Sequence, residues 1–191
     1  MNIPYTFPVD PPFVPKDYNP VGCYRRQFVV PADWAGRQHF LRFEGVKSAY
    51  YVWLNGVEVG FSKDSMCPAE FDITSHVKVG GVNLLAVQVY RWSDGSYLED
   101  QDAWDFSGIY RDVHIYATPA VHITNIKVDA GLDTDLQHGT LSIDTVVSNH
   151  TASSQPGLFV NFSVFDVRPR LECCSVSLLK KVFPSRRSLA L

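Results

Sequence analysis

The chain has 191 residues, enough for one sizeable domain or two small ones that each bury a core. It is 46% hydrophobic and 19% charged, which excludes an intrinsically disordered polymer. Lys and Arg number 17 against 20 for Asp and Glu, and a net charge of −3 gives no electrostatic ground for nucleic acid or an anionic membrane as partner. No stretch reaches the roughly 18 unbroken apolar residues of a membrane span, and Met1 to Phe7 lack the basic and apolar regions of a secretory signal. Cys23, Cys67, Cys173 and Cys174 fit neither a disulfide framework nor the spacing of zinc ligands. The expectation is a cytoplasmic chain with reduced thiols.

Residues 1–20 hold six of the twelve prolines, at positions 4, 8, 11, 12, 15 and 20. Proline fixes φ and removes a donor, so this segment is expected to be an extended arm laid on a surface. Strands are predicted at 25–30, 38–43, 49–54, 57–61, 70–73, 83–90 and 113–116, all rich in Val, Tyr, Phe and Ile. Asn55-Gly56 between two of these runs predicts a type I′ hairpin, and Gly80-Gly81 another tight reversal. No helical period is sustained. The reading is all-β: a jelly-roll, sandwich or barrel over residues 21–118.

One long loop interrupts the strands. Residues 91–108 hold five carboxylates and four aromatic rings, and loops this long inside a compact domain are usually functional. Aromatic faces suit the C–H face of a pyranose, and carboxylates suit pairs of hydroxyls. The same oxygens could hold a cation, or the loop could be a solvated acidic one with its aromatics folded back as core. Beyond Thr118-Pro119, strands predicted at 121–128, 139–148 and 158–165 open a second sandwich over 119–167, too few for the roughly seven of an immunoglobulin-type domain. From 168 to 191 six cations face Glu172 alone, a net of +5. This divergent basic tail is expected to be foreign to the preceding domain, the product of a frameshift, a read-through intron or a gene-model error. The sequons Asn149-His150-Thr151 and Asn161-Phe162-Ser163 read as chance, and the six histidines show no ligand spacing.

The wording of the loop adds a resemblance. Arg91-Trp92-Ser93-Asp94-Gly95-Ser96-Tyr97-Leu98-Glu99-Asp100-Gln101-Asp102, with Trp104, Ser107-Gly108-Ile109 and Arg111-Asp112-Val113, resembles the non-catalytic sugar-binding domain of β-galactosidases of glycoside hydrolase family 2. Pro11-Pro12-Phe13-Val14-Pro15, Asn19-Pro20 and Gly22-Cys23-Tyr24 resemble the segment entering that domain. Trp53, Asn55-Gly56, Val59-Gly60, Asp64-Ser65, Pro68 and Glu70-Phe71-Asp72 resemble its central hairpin and next strand. The likeness is close over about 2–117 and weak to about 166. It is less marked to β-glucuronidases and mannosidases, which share the sandwich but not this loop.

The resemblance implies a galactose-binding-domain-like jelly roll followed by an incomplete immunoglobulin-like sandwich, and a parent reaction that hydrolyses terminal β-D-galactosides with retention. It implies that Asn2 hydrogen-bonds the sugar hydroxyls, and that Asp102 contacts substrate and ligates a sodium ion shared with other domains. Glu99, Asp100, Asp94 and Trp104 are expected to shape the loop and not to be ligands. The family's two catalytic glutamates lie on a barrel after the second domain, so no catalytic residue is expected here. The magnesium site is expected to be absent from this chain, which is expected to be an inactive internal fragment. Its expected partners are the β-galactoside, the missing barrel and, as the parent family is often homo-oligomeric, further copies. The alternatives are a stand-alone carbohydrate-binding module and a non-functional gene fragment.

Overall fold

The computed structural model describes residues 13–99, 106–153, 155, 157–164 and 176–182. They divide into two compact units at Ala117 and Thr118. Nine strands build the first: β1 (Val21–Val29), β2 (Gln38–Phe43), β3 (Val46–Lys47), β4 (Ala49–Leu54), β5 (Val57–Lys63), β6 (Ala69–Asp72), β7 (Val82–Tyr90), β8 (Gly108–Ile109) and β9 (Val113–Thr118). They form a four-stranded sheet ordered β1-β7-β4-β5, a three-stranded sheet ordered β6-β2-β9, and the short pair β3-β8. This is the all-β sandwich expected from the alternating runs. Only single turns of 3-10 helix, at Ala32–Trp34 and Asp94–Tyr97, interrupt the strands among the described residues.

Alternation explains how the sheets face one another. Tyr50, Val52 and Leu54 point inward from β4, Leu85, Val87 and Val89 from β7, and Leu41 and Phe43 from β2. Phe43, Tyr50 and Phe71 meet with ring centroids 5.1–6.1 Å apart, and tie β2, β4 and β6 together. Gly60 makes room for that cluster: a Cβ there would lie 2.4 Å from the Phe71 ring. The β4–β5 turn is the predicted type I′, with φ of +53° at Asn55 and +88° at Gly56.

Beside this turn lies a fully satisfied polar knot. Asn83 has no exposed surface. Its Nδ2 donates to the carbonyls of Lys78 and Gly81, while its Oδ1 accepts from Lys78 N and from Asn55 Nδ2. Asn55 in turn donates to the His76 carbonyl and accepts from Leu84 N. One buried amide thus locks the hairpin to the start of β7.

The second unit holds β10 (Val121–Leu132), β11 (Gly139–Asn149), β12 (Leu158–Val164) and β13 (Val176–Val182). β10 pairs with β11 and β12 with β13, both antiparallel. Three of these strands lie within 119–167, as many as predicted there, and the fourth lies beyond it. β13 lies in the basic stretch, where Lys180 and Lys181 break the alternation that would have revealed it.

Two outcomes follow from these buried polar side chains. Asn83→Leu orphans Lys78 N and the Gly81 carbonyl, and is expected to cost about 2–4 kcal/mol by denaturant titration, whereas Leu84→Thr on the outer face costs less than about 0.5 kcal/mol. Equal costs would contradict the knot. His39, 2% exposed, has its imidazole pKa held below the ordinary 6.5 chiefly by burial, which outweighs the opposing backbone groups of Trp34 and Arg37 and the charge of Asp72. Between the lowered and the ordinary pKa an unfolded His39 binds a proton that the folded one refuses. Stability is therefore undiminished by His39 above pH 6.5 and falls as pH drops below it. His39→Leu is expected to flatten the stability change between about pH 7 and pH 5; parallel curves for the two proteins would contradict this.

Candidate functional site

The loop that follows β7 is anchored before it becomes acidic. Asn19 brackets the Trp92 backbone, donating from Nδ2 to its carbonyl at 3.0 Å and accepting from its N–H at 2.9 Å. Arg91 N donates to the Pro20 carbonyl, and the Tyr97 hydroxyl donates to the Phe13 carbonyl at 2.6 Å. The end of the proline-rich arm, residues 13–20, and the first half of the acidic loop thus run strapped together. Asn2 and Asp102 themselves lie outside the described residues, as do Asp100 and Trp104.

Both stems of the loop are also fixed to one turn, residues 64–67. Glu99 accepts from Ser65 N at 2.8 Å and from Ser65 Oγ at 2.5 Å. From the returning stem, the Tyr110 hydroxyl donates to the Ser65 carbonyl and Arg111 Nη1 to the Met66 carbonyl at 3.2 Å. The turn is held in shape by Asp64, whose carboxylate accepts from Met66 N and Cys67 N. Those interactions hold its pKa below the ordinary value, the Cys67 thiol contributing most. Asp64 has a φ of +116°, a conformation that L-residues rarely adopt. Gly45 lets the returning stem approach: a Cβ there would lie 2.8–2.9 Å from the Tyr110 and Arg111 side chains.

These contacts assign roles the composition left open. Trp92 is buried beneath the Arg91 guanidinium, 4.8 Å from its ring centroid, so this ring is folded back as core and is not a sugar platform. Tyr97 is a strap. Asp94 pairs with Lys63 at 2.6 Å, which holds its carboxyl below the usual range. Glu99, fully engaged by Ser65, shapes the loop as expected. Asn19, Ser65, Tyr110, Arg111 and Gly45 were not singled out as working parts. Asn19, Ser65 and Arg111 stand in the motifs, which was their only sequence signal, and Tyr110 and Gly45 gave none, because the contacts span 34 to 73 residues.

A second polar group lies on the outer face of β2, β6 and β9. Arg42 contacts Glu44 at 2.8 Å and Glu70 at 3.7 Å, His114 lies 3.4 Å from Glu44, and the Tyr116 hydroxyl donates to Glu70. Burial and Glu70 push the Tyr116 phenol up to about 12. The guanidinium between the two glutamates makes this an ion-pair network and not an acid/base couple. Among the described residues no group of three or more His, Cys, Asp or Glu could hold a metal ion. No helix among them is long and apolar enough to cross a membrane.

The family model for glycosyl hydrolases family 2, sugar binding domain, matches residues 1–119. The chain belongs to that family. It is 47% identical over 158 residues to a β-galactosidase of Priestia megaterium, covering 83% of this chain and 15% of that protein. It is 52% identical over 143 residues to a β-galactosidase of Pectobacterium atrosepticum, covering 74% and 14%. The chain therefore spans only about one seventh of these curated relatives. Among solved structures, a family 2 glycosyl hydrolase of Bacteroides cellulosilyticus superposes with a TM-score of 0.70 at 20% identity, over 90% of this chain and 23% of that one. A β-glucuronidase of Bacteroides uniformis gives 0.72 at 25% identity, over 91% and 21%. The sandwich is thus shared across family 2.

Glu99→Gln replaces a charged acceptor by a neutral amide at the Ser65 clasp, and is expected to cost about 1–3 kcal/mol. Amide exchange should speed up at residues 93–99 while β4 and β7 stay protected. Unchanged exchange in the loop would contradict the clasp.

Proposed function

We propose that this chain supplies the sugar-binding jelly roll of a β-galactosidase that hydrolyses terminal β-D-galactosides, and that it has no hydrolytic activity alone. The observation that carries the reading is the family match over residues 1–119, joined to the strapping of the arm against the acidic loop. Those two segments lead to Asn2 and Asp102. An amide offers a donor and an acceptor to adjacent hydroxyls, and a carboxylate can accept from a hydroxyl while facing a cation. Asn2 and Asp102 are the substrate-binding residues in this reading, and Asp102 is this chain's share of a sodium site. In this reading most of the other sodium ligands, and those to magnesium, belong to the barrel and not to this chain. The chemistry sodium would supply is positional: a fixed positive charge that orients a sugar hydroxyl.

Retaining hydrolysis needs two carboxyl groups about 5–5.5 Å apart, one as nucleophile and one as acid/base. Glu99 is committed to Ser65 and Asp94 to Lys63, so neither serves. Asn2 and Asp102 would raise turnover by orienting the sugar for carboxylates on the barrel.

A chimera tests this. The matched 158-residue stretch of the Priestia megaterium relative is replaced by the corresponding residues of this chain. Hydrolysis of a chromogenic β-galactoside is expected to persist, to fall by about tenfold or more in kcat/KM on Asp102→Asn, and to be absent from the 191-residue chain alone. Turnover by the isolated chain, or an Asp102→Asn chimera as active as its parent, would overturn the reading.

A further inference from the structure

The first two strands of the second unit bring together two histidines that stand far apart in the sequence. His122 on β10 pairs with Ser148 on β11, and the ladder continues beyond β11 through His150 N, which donates to the Ala120 carbonyl at 2.8 Å. Side chains alternate along a strand, so His150 shares the face of Ser148 and is the diagonal neighbour of His122. Their imidazoles lie with ring centroids 5.5 Å apart and planes inclined by 8°. His122 is half-buried and His150 is exposed. The His122 ring is also oriented. Its Nδ1 donates to the Pro119 carbonyl at 3.0 Å, with the Thr118 hydroxyl 3.3 Å away. A carbonyl can only accept, so in the neutral ring the proton sits on Nδ1 and the lone pair on Nε2.

We propose that His122 and His150 form a site for one divalent first-row transition-metal ion, with water in its remaining positions. Imidazole nitrogen suits nickel, copper and zinc, and not magnesium or calcium. Metal-binding histidines characteristically donate the other ring N–H to a carbonyl or carboxylate, which is what Pro119 receives from His122. The spacing also fits. Two rings bound through nitrogen at about 2.0–2.1 Å to one ion have centroids at most about 6.5 Å apart, and these lie 5.5 Å apart. Rotation of the exposed His150 ring about χ2, a soft torsion, directs a nitrogen from each ring to a common ion. No third His, Cys, Asp or Glu joins them among the described residues, so the site is open to solvent and not a closed structural centre. The other imidazole on this hairpin with a carboxylate partner, His138 beside Asp133 at 2.7 Å, lies at its far end and stands alone there. The ion clips the first residues of β10 to the end of β11.

The experiment titrates the full 191-residue chain, its thiols alkylated, with NiCl2 and separately with MgCl2, and reads heat and amide exchange. The expected result is one Ni2+ bound per chain, no Mg2+, and slower exchange at residues 121–123 and 148–150 while β4 and β7 are unchanged. His122→Gln and His150→Gln are each expected to weaken Ni2+ by about tenfold or more, and His138→Gln by less than about twofold. Ser148→His adds a third imidazole to the same face, directly opposite His122, and is expected to tighten binding by about tenfold or more. A variant that merely unfolds gives no such gain. Absence of Ni2+ binding, binding indifferent to either histidine, or a Ser148→His chain that binds no tighter would overturn the proposal. Hydrolysis is not read here, so the result stands apart from that of the chimera.

Discussion

The charge-assisted hydrogen bonds from Ser65 to Glu99 set what the acidic loop can do, because they turn one of its own carboxylates into a fastener. A run rich in Asp and Glu repels itself and has every reason to remain solvated. Here Glu99 and Asp94 are spent on Ser65 and Lys63, and the returning stem is bolted to the same turn through Tyr110 and Arg111. A loop held at both ends can place a side chain from its middle with little further loss of entropy.

That arrangement depends on the sandwich beneath it. The aromatic cluster of Phe43, Tyr50 and Phe71 joins the two sheets, and Asn83 fixes the hairpin from which β5 runs toward the clasp. Gly60 and Gly45 contribute by what they lack. Each lets an aromatic side chain, Phe71 or Tyr110, lie where a methyl group would collide. The positions of these contacts are set by paired strands, and the sandwich that carries them is shared with a β-glucuronidase of Bacteroides uniformis.

How much of this could be read in advance differs by level. The spans 38–43 and 49–54 match β2 and β4 to the residue: β2 alternates cleanly between a half-buried and a buried face, and β4 does so from Tyr50 on. The type I′ turn was legible because Asn-Gly favours positive φ at both positions. β3 and β8 were not, since two residues carry no periodicity. Trp92 reads equally well as sugar platform or core anchor in a string of letters. Only its burial under Arg91 decides between them, and that depends on Asn19 lying 73 residues away.

The central proposal is that Asn2 and Asp102 bind the same sugar. The most direct measurement is a crystal structure of the chimera with galactose bound. The account predicts both side chains within about 3.2 Å of the sugar's hydroxyl oxygens. A galactose held without either residue, or the two side chains facing unrelated surfaces, would contradict it.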